Sequence, residues 1–325
     1  MKRREFIAGL GGVAAWPLVA RAQQQMTSIG FLNPTSPESN ADRLRGFRQG
    51  IGGAGYTEGE NVIIDYRWAE GRNDRLPQLA AALVRHHVSV IAAFTPAAAF
   101  AAKAATTTIP IVFGVNEDPV NLGLVANLAR PDGNLTGVNF FTAEVAAKRL
   151  DLLHELLPGA AHIAVLVNPA NDTSTDSTLR DATEAARAIG LQIQILNART
   201  SDEINSAFEA IGHERPDALF VAGDAFFSSR RVQLVNLASR HGIPATFSQR
   251  EFTDVGGLMS YGPNLADAFR HIGLYVGQTL KGAKPTDLPV LQSSKFELVI
   301  NAETARMLQL TIPPSLLARA DEVIE

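Results

Sequence analysis

The chain has no cysteine. That excludes disulfides, thiolate metal sites, a cysteine nucleophile and anchoring through a lipidated N-terminal cysteine. Positive charge is also short: 29 Lys and Arg against 33 Asp and Glu leave a net charge of −4, the wrong sign for a partner made of phosphates. No nucleic-acid partner is expected. Beyond the first twenty or so residues, no apolar run is long enough to cross a bilayer. There is no G-x-S-x-G elbow and no G-x-x-x-x-G-K-[ST] phosphate loop. The histidines (His86, His87, His154, His162, His213, His241 and His271) show no H-x-x-x-H or other metal-ligand spacing. Glu117 and Asp118 could form an acid pair of the kind sugar hydrolases use, but neighbours in a loop point apart. No enzyme, no metal and no cofactor is expected.

What is present begins with an address. Lys2, Arg3 and Arg4 form a basic head, residues 6–19 a short apolar stretch, and Ala20-Arg21-Ala22 a cleavage site of small residues. The stretch is about 15 residues, short of the roughly 20 that span a membrane. Arg3-Arg4 ahead of Glu5-Phe6-Ile7 reads as a twin-arginine export signal. Gly9-Leu10-Gly11-Gly12-Val13-Ala14 matches a dinucleotide-binding fingerprint, but only a short charged segment precedes it and Pro17 would break the following helix. Residues 1–22 are therefore read as a signal peptide. They carry four basic residues and one acid, so the remaining 303 residues carry a net charge of −7. A periplasmic protein is expected.

After residue 22, β-branched runs alternate with helical periodicity. Residues 28–32, 61–66, 88–94, 109–115 and 135–140 read as buried strands, with helices over 41–53, 75–86 and 97–105 between them. A helix over 144–157 leads to a second series: strands at 162–167, 191–196, 218–222, 244–247 and 257–261, and helices at 178–189, 203–211 and 231–240. Gly190, Gly212 and Gly242 are expected just past helix C-termini. Two α/β blocks in series predict two Rossmann-like lobes with parallel sheets and right-handed crossovers. The tail, with a helix at 265–280 and a strand at 296–300, has no block of its own and is expected to cross back. The lobes are expected to comprise 23–142 plus part of 263–325, and 143–262 plus part of 285–325.

Ligands of open parallel sheets bind where loops diverge at the carboxyl ends of strands. The residues just after each strand are Thr35 and Ser36, then Thr95 and Ala97, then Asn116 and Asp118. In the second block they are Asn168, then Asp224 and Phe226, then Tyr261. Hydroxyls, amides and helix starts of this kind hold a carboxylate, though the same residue types also serve as ordinary helix caps.

Several motifs carry a family resemblance: Pro110-Ile111-Val112-Phe113, Asp118-Pro119-Val120, Gly123-Leu124-Val125, Gly133-Asn134-Leu135-Thr136-Gly137-Val138, Ser260-Tyr261-Gly262-Pro263-Asn264, and Leu310-Thr311-Ile312-Pro313-Pro314. Together they resemble the ABC transporter substrate-binding family related to tryptophan-binding proteins. The resemblance covers essentially the whole chain after the leader. It implies a type I periplasmic binding protein, with two lobes joined by three crossovers at a hinge. It also implies capture of a small ligand, delivery to an inner-membrane ABC permease, and no chemistry on the ligand. Asp224 would meet an ammonium group, with Phe226 and Phe227 as walls for an apolar side chain. A monomer that closes on its ligand is expected. The alternatives are a receptor of the same fold for a membrane signalling protein, and an exported hydrolase.

Overall fold

The computed structural model describes residues 26–140, 143–293 and 295–325. The leader and Thr142, where the lobes are expected to divide, lie outside them. The first block consists of β1 (Thr27–Asn33), α1 (Ala41–Gly53), β2 (Val62–Trp68), α2 (Leu76–Arg85), β3 (Val90–Phe94), α3 (Pro96–Ala105), β4 (Ile111–Val115) and β5 (Leu135–Asn139). The second opens with α4 (Ala143–Leu156), β6 (His162–Val167), α5 (Asp172–Ala188), β7 (Gln192–Asn197), α6 (Ser201–Glu214) and β8 (Ala218–Val221). It continues with α7 (Ala225–Ser229), α8 (Arg231–Arg240), β9 (Ala245–Phe247), α9 (Arg250–Thr253) and β10 (Met259–Pro263). The tail adds α10 (Leu265–Leu280), β11 (Leu291–Gln292), β12 (Phe296–Asn301), α11 (Ala302–Met307), α12 (Pro314–Arg319) and β13 (Glu322–Ile324).

The strands form two sheets, in the orders β11-β5-β4-β3-β1-β2 and β13-β12-β10-β9-β8-β6-β7. Each block therefore repeats one winding, with its first strand between its second and third. The apolar runs explain the layering. Every residue of β3, β4 and β5 is buried, because helices cover both faces of a parallel sheet. The edge strand β7 is largely uncovered, and Ile195 on it is exposed.

The expectation of purely parallel sheets needs one correction. β12 runs antiparallel to β10, pairing Pro263 with Phe296 and Met259 with Ile300. The geometry of the third crossover requires it. β10 ends where the sheets meet, and the chain returns from the first sheet at that same end, so its next strand must run away from the junction. The chain passes between sheets after β5, after β10 and between β11 and β12.

α10 is the long-range brace of the first lobe. Phe269, Ile272 and Val276 join the core of the first sheet. The helix lies so close to α1 that a Cβ on Gly46 would stand 2.2 Å from the Ala266 carbonyl oxygen, and one on Gly273 would stand 2.2 Å from that of Phe47. Only glycine permits that approach.

Two local expectations differ. Gly212 is not a C-cap: α6 runs on to Glu214 and ends at Arg215, in the left-handed region at φ 50°. A Cβ at Gly212 would lie 3.4 Å from the His241 ring, an ordinary contact, so nothing in the structure requires glycine there. α5 begins at Asp172, six residues before the apolar pattern starts, because its first turns face the polar junction between lobes.

Candidate ligand cleft

Both sheets point the carboxyl ends of their strands into one cleft of about 760 Å³. The winding explains its position. In each lobe the crossovers leave in opposite directions on either side of the first strand, which opens a crevice beside the third. Asn33, Thr35 and Thr95 flank that point in lobe one, and Asn168 and Asp224 flank it in lobe two.

In lobe one, Thr95 is the unusual residue. It precedes α3 with φ 80° and ψ 157°, a region that only glycine occupies at low cost. Its backbone is held there from both sides: its N–H donates to the Gly114 carbonyl at 2.8 Å, and its carbonyl accepts from Ala99 N–H at 3.0 Å. The Thr95 hydroxyl is buried with no hydrogen-bond partner among the described residues. Pro96 opens α3, and Ala97 in its first turn also lines the cleft. A strained residue with a spare hydroxyl at a helix N-terminus suits an anionic group. Phe94, Phe140 and Phe269 form the floor beside it, with Phe94 and Phe269 stacked at 4.3 Å between centroids.

Thr35 and Ser36 belong to a tighter arrangement. The Thr35 backbone N–H and hydroxyl both donate to Asn33 Oδ1, at 2.9 and 2.8 Å, and Asn40 Nδ2 donates to the Ser36 carbonyl at 2.8 Å. Asn40 Oδ1 is buried without a partner among the described residues. Asn116 lines the cleft as well, and its side chain bonds the Glu117 carboxylate. Burial pushes Glu117 up to about 7. Its own backbone N–H opposes the rise, and the negative charge of Asp224 adds to it.

Lobe two presents a connected hydrogen-bond network. Asp224 caps α7: its Oδ1 accepts from Phe226 N–H at 2.8 Å, Phe227 N–H at 3.4 Å and Asn168 Nδ2 at 3.0 Å, while Oδ2 accepts from Asn171 Nδ2 at 3.2 Å. Asn168 Oδ1 accepts from Ala170 N–H, and its carbonyl accepts from the Thr175 hydroxyl at 2.6 Å. Arg149 braces the strand beneath. It is buried with its guanidinium 3.8 Å above the Phe220 ring, and it donates to the Val221 carbonyl, three residues before Asp224. Burial lowers its pKa to about 9.

A polar clasp joins the lobes beside the cleft. Arg43 of α1 donates to Glu251 at 3.0 Å and, through Nη2, to Gln249 Oε1 at 2.8 Å. Gln249 Oε1 also accepts from the Ser228 hydroxyl at 2.8 Å. Burial pushes the Glu251 carboxyl up, but the charge of Arg43 and the hydrogen bonds it receives outweigh this and lower its pKa.

Of the residues singled out from sequence, Thr35, Ser36, Thr95, Ala97, Asn116, Asn168, Asp224 and Phe226 line this cleft. Asp118 and Tyr261 do not. Asp118 Oδ1 accepts from the backbone N–H groups of Val120 and Asn121 and so holds its own turn. Tyr261 stacks on Phe296 of β12, at the edge that the returning tail covers. Phe227, expected as a wall, is fully buried in the lobe-two core. Sequence reasoning missed Asn40, Arg43, Phe94, Phe269 and Gln249. Phe94 was within reach, as the last residue of a strand whose following loop was already under suspicion. The others sit in helices or short loops where nothing local distinguishes them.

Comparison with known proteins decides the family. Residues 28–324 match the ABC transporter substrate binding protein family. The chain belongs to that family. A tyrosine-binding protein of Clostridioides difficile (strain R20291) is 26% identical over 287 residues, which is 88% of this chain and 82% of that one. The structure of an ABC domain from Streptococcus pneumoniae in complex with L-Trp superimposes with a TM-score of 0.83 at 28% identity, covering 92% of this chain and 99% of that one. A conserved domain protein from Vibrio cholerae gives the same TM-score and identity, covering 92% of this chain and 100% of its own. This substrate-binding protein thus has two α/β lobes of the type I periplasmic binding protein kind. Among the described residues, no helix is long and apolar enough to cross a membrane.

Proposed function

We propose that this family member captures a free amino acid with an aromatic or large apolar side chain, closes its lobes on it and delivers it to an ABC permease. The carrying observation is the pairing across one cleft of a spare hydroxyl at a helix N-terminus, Thr95, with a carboxylate, Asp224. A zwitterion leaving water needs both kinds of partner. Thr95 and the start of α3 take the carboxylate, and Asp224 takes the ammonium through the open side of Oδ2. Phe94, Phe140, Phe269 and Phe226 take the side chain. Thr35, Ser36, Asn116 and Asn168 complete the polar wall, with Ala97 beside them in the first turn of α3. The relatives named for tyrosine and bound to L-Trp support this choice of ligand class.

The mechanism is hinge closure. Lobe one is residues 26–140 with 264–293, and lobe two is residues 143–263 with 295–325. The ligand docks on one lobe and gains contacts from the other only when the cleft shuts, and that difference shifts the open–closed equilibrium. The leader over residues 1–22 sends a monomer to the periplasm.

Mass spectrometry of the molecule that co-purifies, followed by calorimetry against the standard amino acids and their aromatic-acid analogues, tests the ligand. Small-angle scattering tests the mechanism: the radius of gyration should fall on saturation, and a constant radius overturns hinge closure. Export lost on Arg3→Lys with Arg4→Lys supports the twin-arginine route, and unchanged export refutes it.

A further inference from the structure

The two sheet edges that lie farthest from the crossovers each carry a charged residue into the cleft, and the two charges are opposite. The crossovers gather at β5 and β11 in lobe one and at β10 and β12 in lobe two, on the same side of both sheets, and β2 and β7 form the far edges. Each of these is the second strand of its block and ends opposite the last residue of the first: Trp68 beside Asn33, and Asn197 beside Val167. A fully buried alanine follows in each lobe, and its N–H donates to the carbonyl of that last residue, Ala69 to Asn33 at 2.9 Å and Ala198 to Val167 at 3.0 Å. Glu70 and Arg199 come next, in equivalent places. Both are exposed and both line the cleft.

Each is held firmly by its backbone. Glu70 sits in the left-handed region at φ 54°, which is uncommon for a residue other than glycine. Its N–H donates to the Thr35 carbonyl at 3.1 Å and that of Gly71 to the Pro34 carbonyl at 2.7 Å, so its loop is sewn to the cleft loop of lobe one. Nearby Arg72 pairs with Asp74, leaving Glu70 with no ion pair among the described residues. Arg199 donates to Glu203 through its backbone N–H at 2.8 Å and its Nε at 3.1 Å. Both of its Nη groups are left without a hydrogen bond among the described residues, which suits a second carboxylate. The other cations of the cleft lie further in or are tied: Arg230 stands over Phe226 beyond β8, two strands inward of β7, and Arg43 pairs with Glu251.

Rotation about a hinge moves each point in proportion to its distance from the hinge, so these two rims travel farthest as the cleft shuts. We propose that Glu70 and Arg199 meet across the mouth on closure and form an outer latch that retains the ligand. This rests on the hinge closure proposed above and deepens it: the Arg43 clasp joins the lobes nearer the hinge, and the latch governs release at the open end. The pair acts through the population of the closed state, so it strengthens binding of every ligand that the shut cleft can enclose. An exposed ion pair is modest, so neutralising either partner should weaken binding about two- to fivefold, chiefly through faster release.

The test uses the leaderless, otherwise full-length protein, with L-tyrosine and L-tryptophan as probes, calorimetry for affinity and stopped-flow fluorescence for release. Glu70→Lys and Arg199→Glu should each weaken binding about fivefold, and the double exchange should recover to within about twofold of the wild type. The cycle cancels whatever each change does inside its own lobe, and the recovery should shrink in high salt. Glu70→Lys combined with Arg230→Glu should show no recovery. Additive losses in the first cycle, or recovery in the second, overturn the latch. A further arm needs no ligand. The chain has no cysteine, so Glu70→Cys with Arg199→Cys offers a short bis-maleimide a single pair of thiols. An intramolecular crosslink should form in the empty protein and form faster with a bound probe. No crosslink, or a rate indifferent to a probe that binds, overturns the latch and leaves the ligand cleft standing. Should no amino acid bind, the proposed ligand class falls, and the crosslink in the empty protein still decides the latch.

Discussion

The two lobes share a winding, yet they face the cleft in opposite chemical states. At the cleft, lobe two is well bonded: Asp224 receives four hydrogen bonds, two from the start of α7 and two from Asn168 and Asn171. Lobe one is unsatisfied: Asn40 Oδ1 and the Thr95 hydroxyl, both on cleft residues, are buried with no partner among the described residues. Buried polar atoms left unpaired cost about 1–3 kcal/mol each in a protein interior. Under the function proposed above, a ligand supplies those partners and docks first on lobe one, with lobe two as the preformed jaw.

The sharpest way to break the comparison is to change the central polar group of each lobe. Asp224→Ala removes a cap, two amide contacts and the ammonium partner together. It should weaken binding of an amino acid more than a hundredfold and also cost the empty protein about 2 kcal/mol, read as a fall in melting temperature. Thr95→Val should weaken binding about tenfold and leave the melting temperature of the empty protein almost unchanged, because the hydroxyl has no partner to lose. Equal losses of stability in the two variants would erase the distinction between lobes.

The clasp between lobes comes next. Arg43→Ala should reduce affinity about tenfold for every ligand alike, since its bonds to Glu251 and Gln249 hold the lobes together, and scattering should show a larger particle at sub-saturating ligand. Glu251 adds a pH arm. Its pKa is lowered from 4.5 with the Arg43 clasp formed, so its contribution is present above that value and is lost as pH falls through the lowered one. Closure should weaken in acid below about pH 4.5, and in Arg43→Ala that part of the acid sensitivity should disappear.

The smallest expected effect is on strain. Thr95→Gly places the residue that φ 80° favours, so the empty protein should gain about 1 kcal/mol in denaturant unfolding while binding weakens through loss of the hydroxyl. A destabilised glycine variant would show that the backbone geometry at Thr95 is not strained.

Much of the scaffold was legible because its signals are local. β6, α1, α8 and α10 appear where periodicity places them, since a strand buried on both faces and a helix with one apolar stripe each write their period into consecutive residues. Thr95 and Asp224 could be singled out for the same reason: each directly follows a buried strand. The short α7 and α9 and the early start of α5 escaped notice, because a few polar residues at a helix start look like loop until their side chains find acceptors.

What the sequence determined alone is the alternation of strand and helix, and with it the two-lobed α/β plan and the strand-end loops. Those follow from forces that act between near neighbours in the chain. The tertiary structure decided which loops share the cleft, and it set Tyr261 against β12 and left Asp118 to its own turn. It also brought Arg43 to Glu251 across 208 residues. Distances between residues far apart in the chain depend on how the two sheets close over their hinge, and no local pattern encodes that closure.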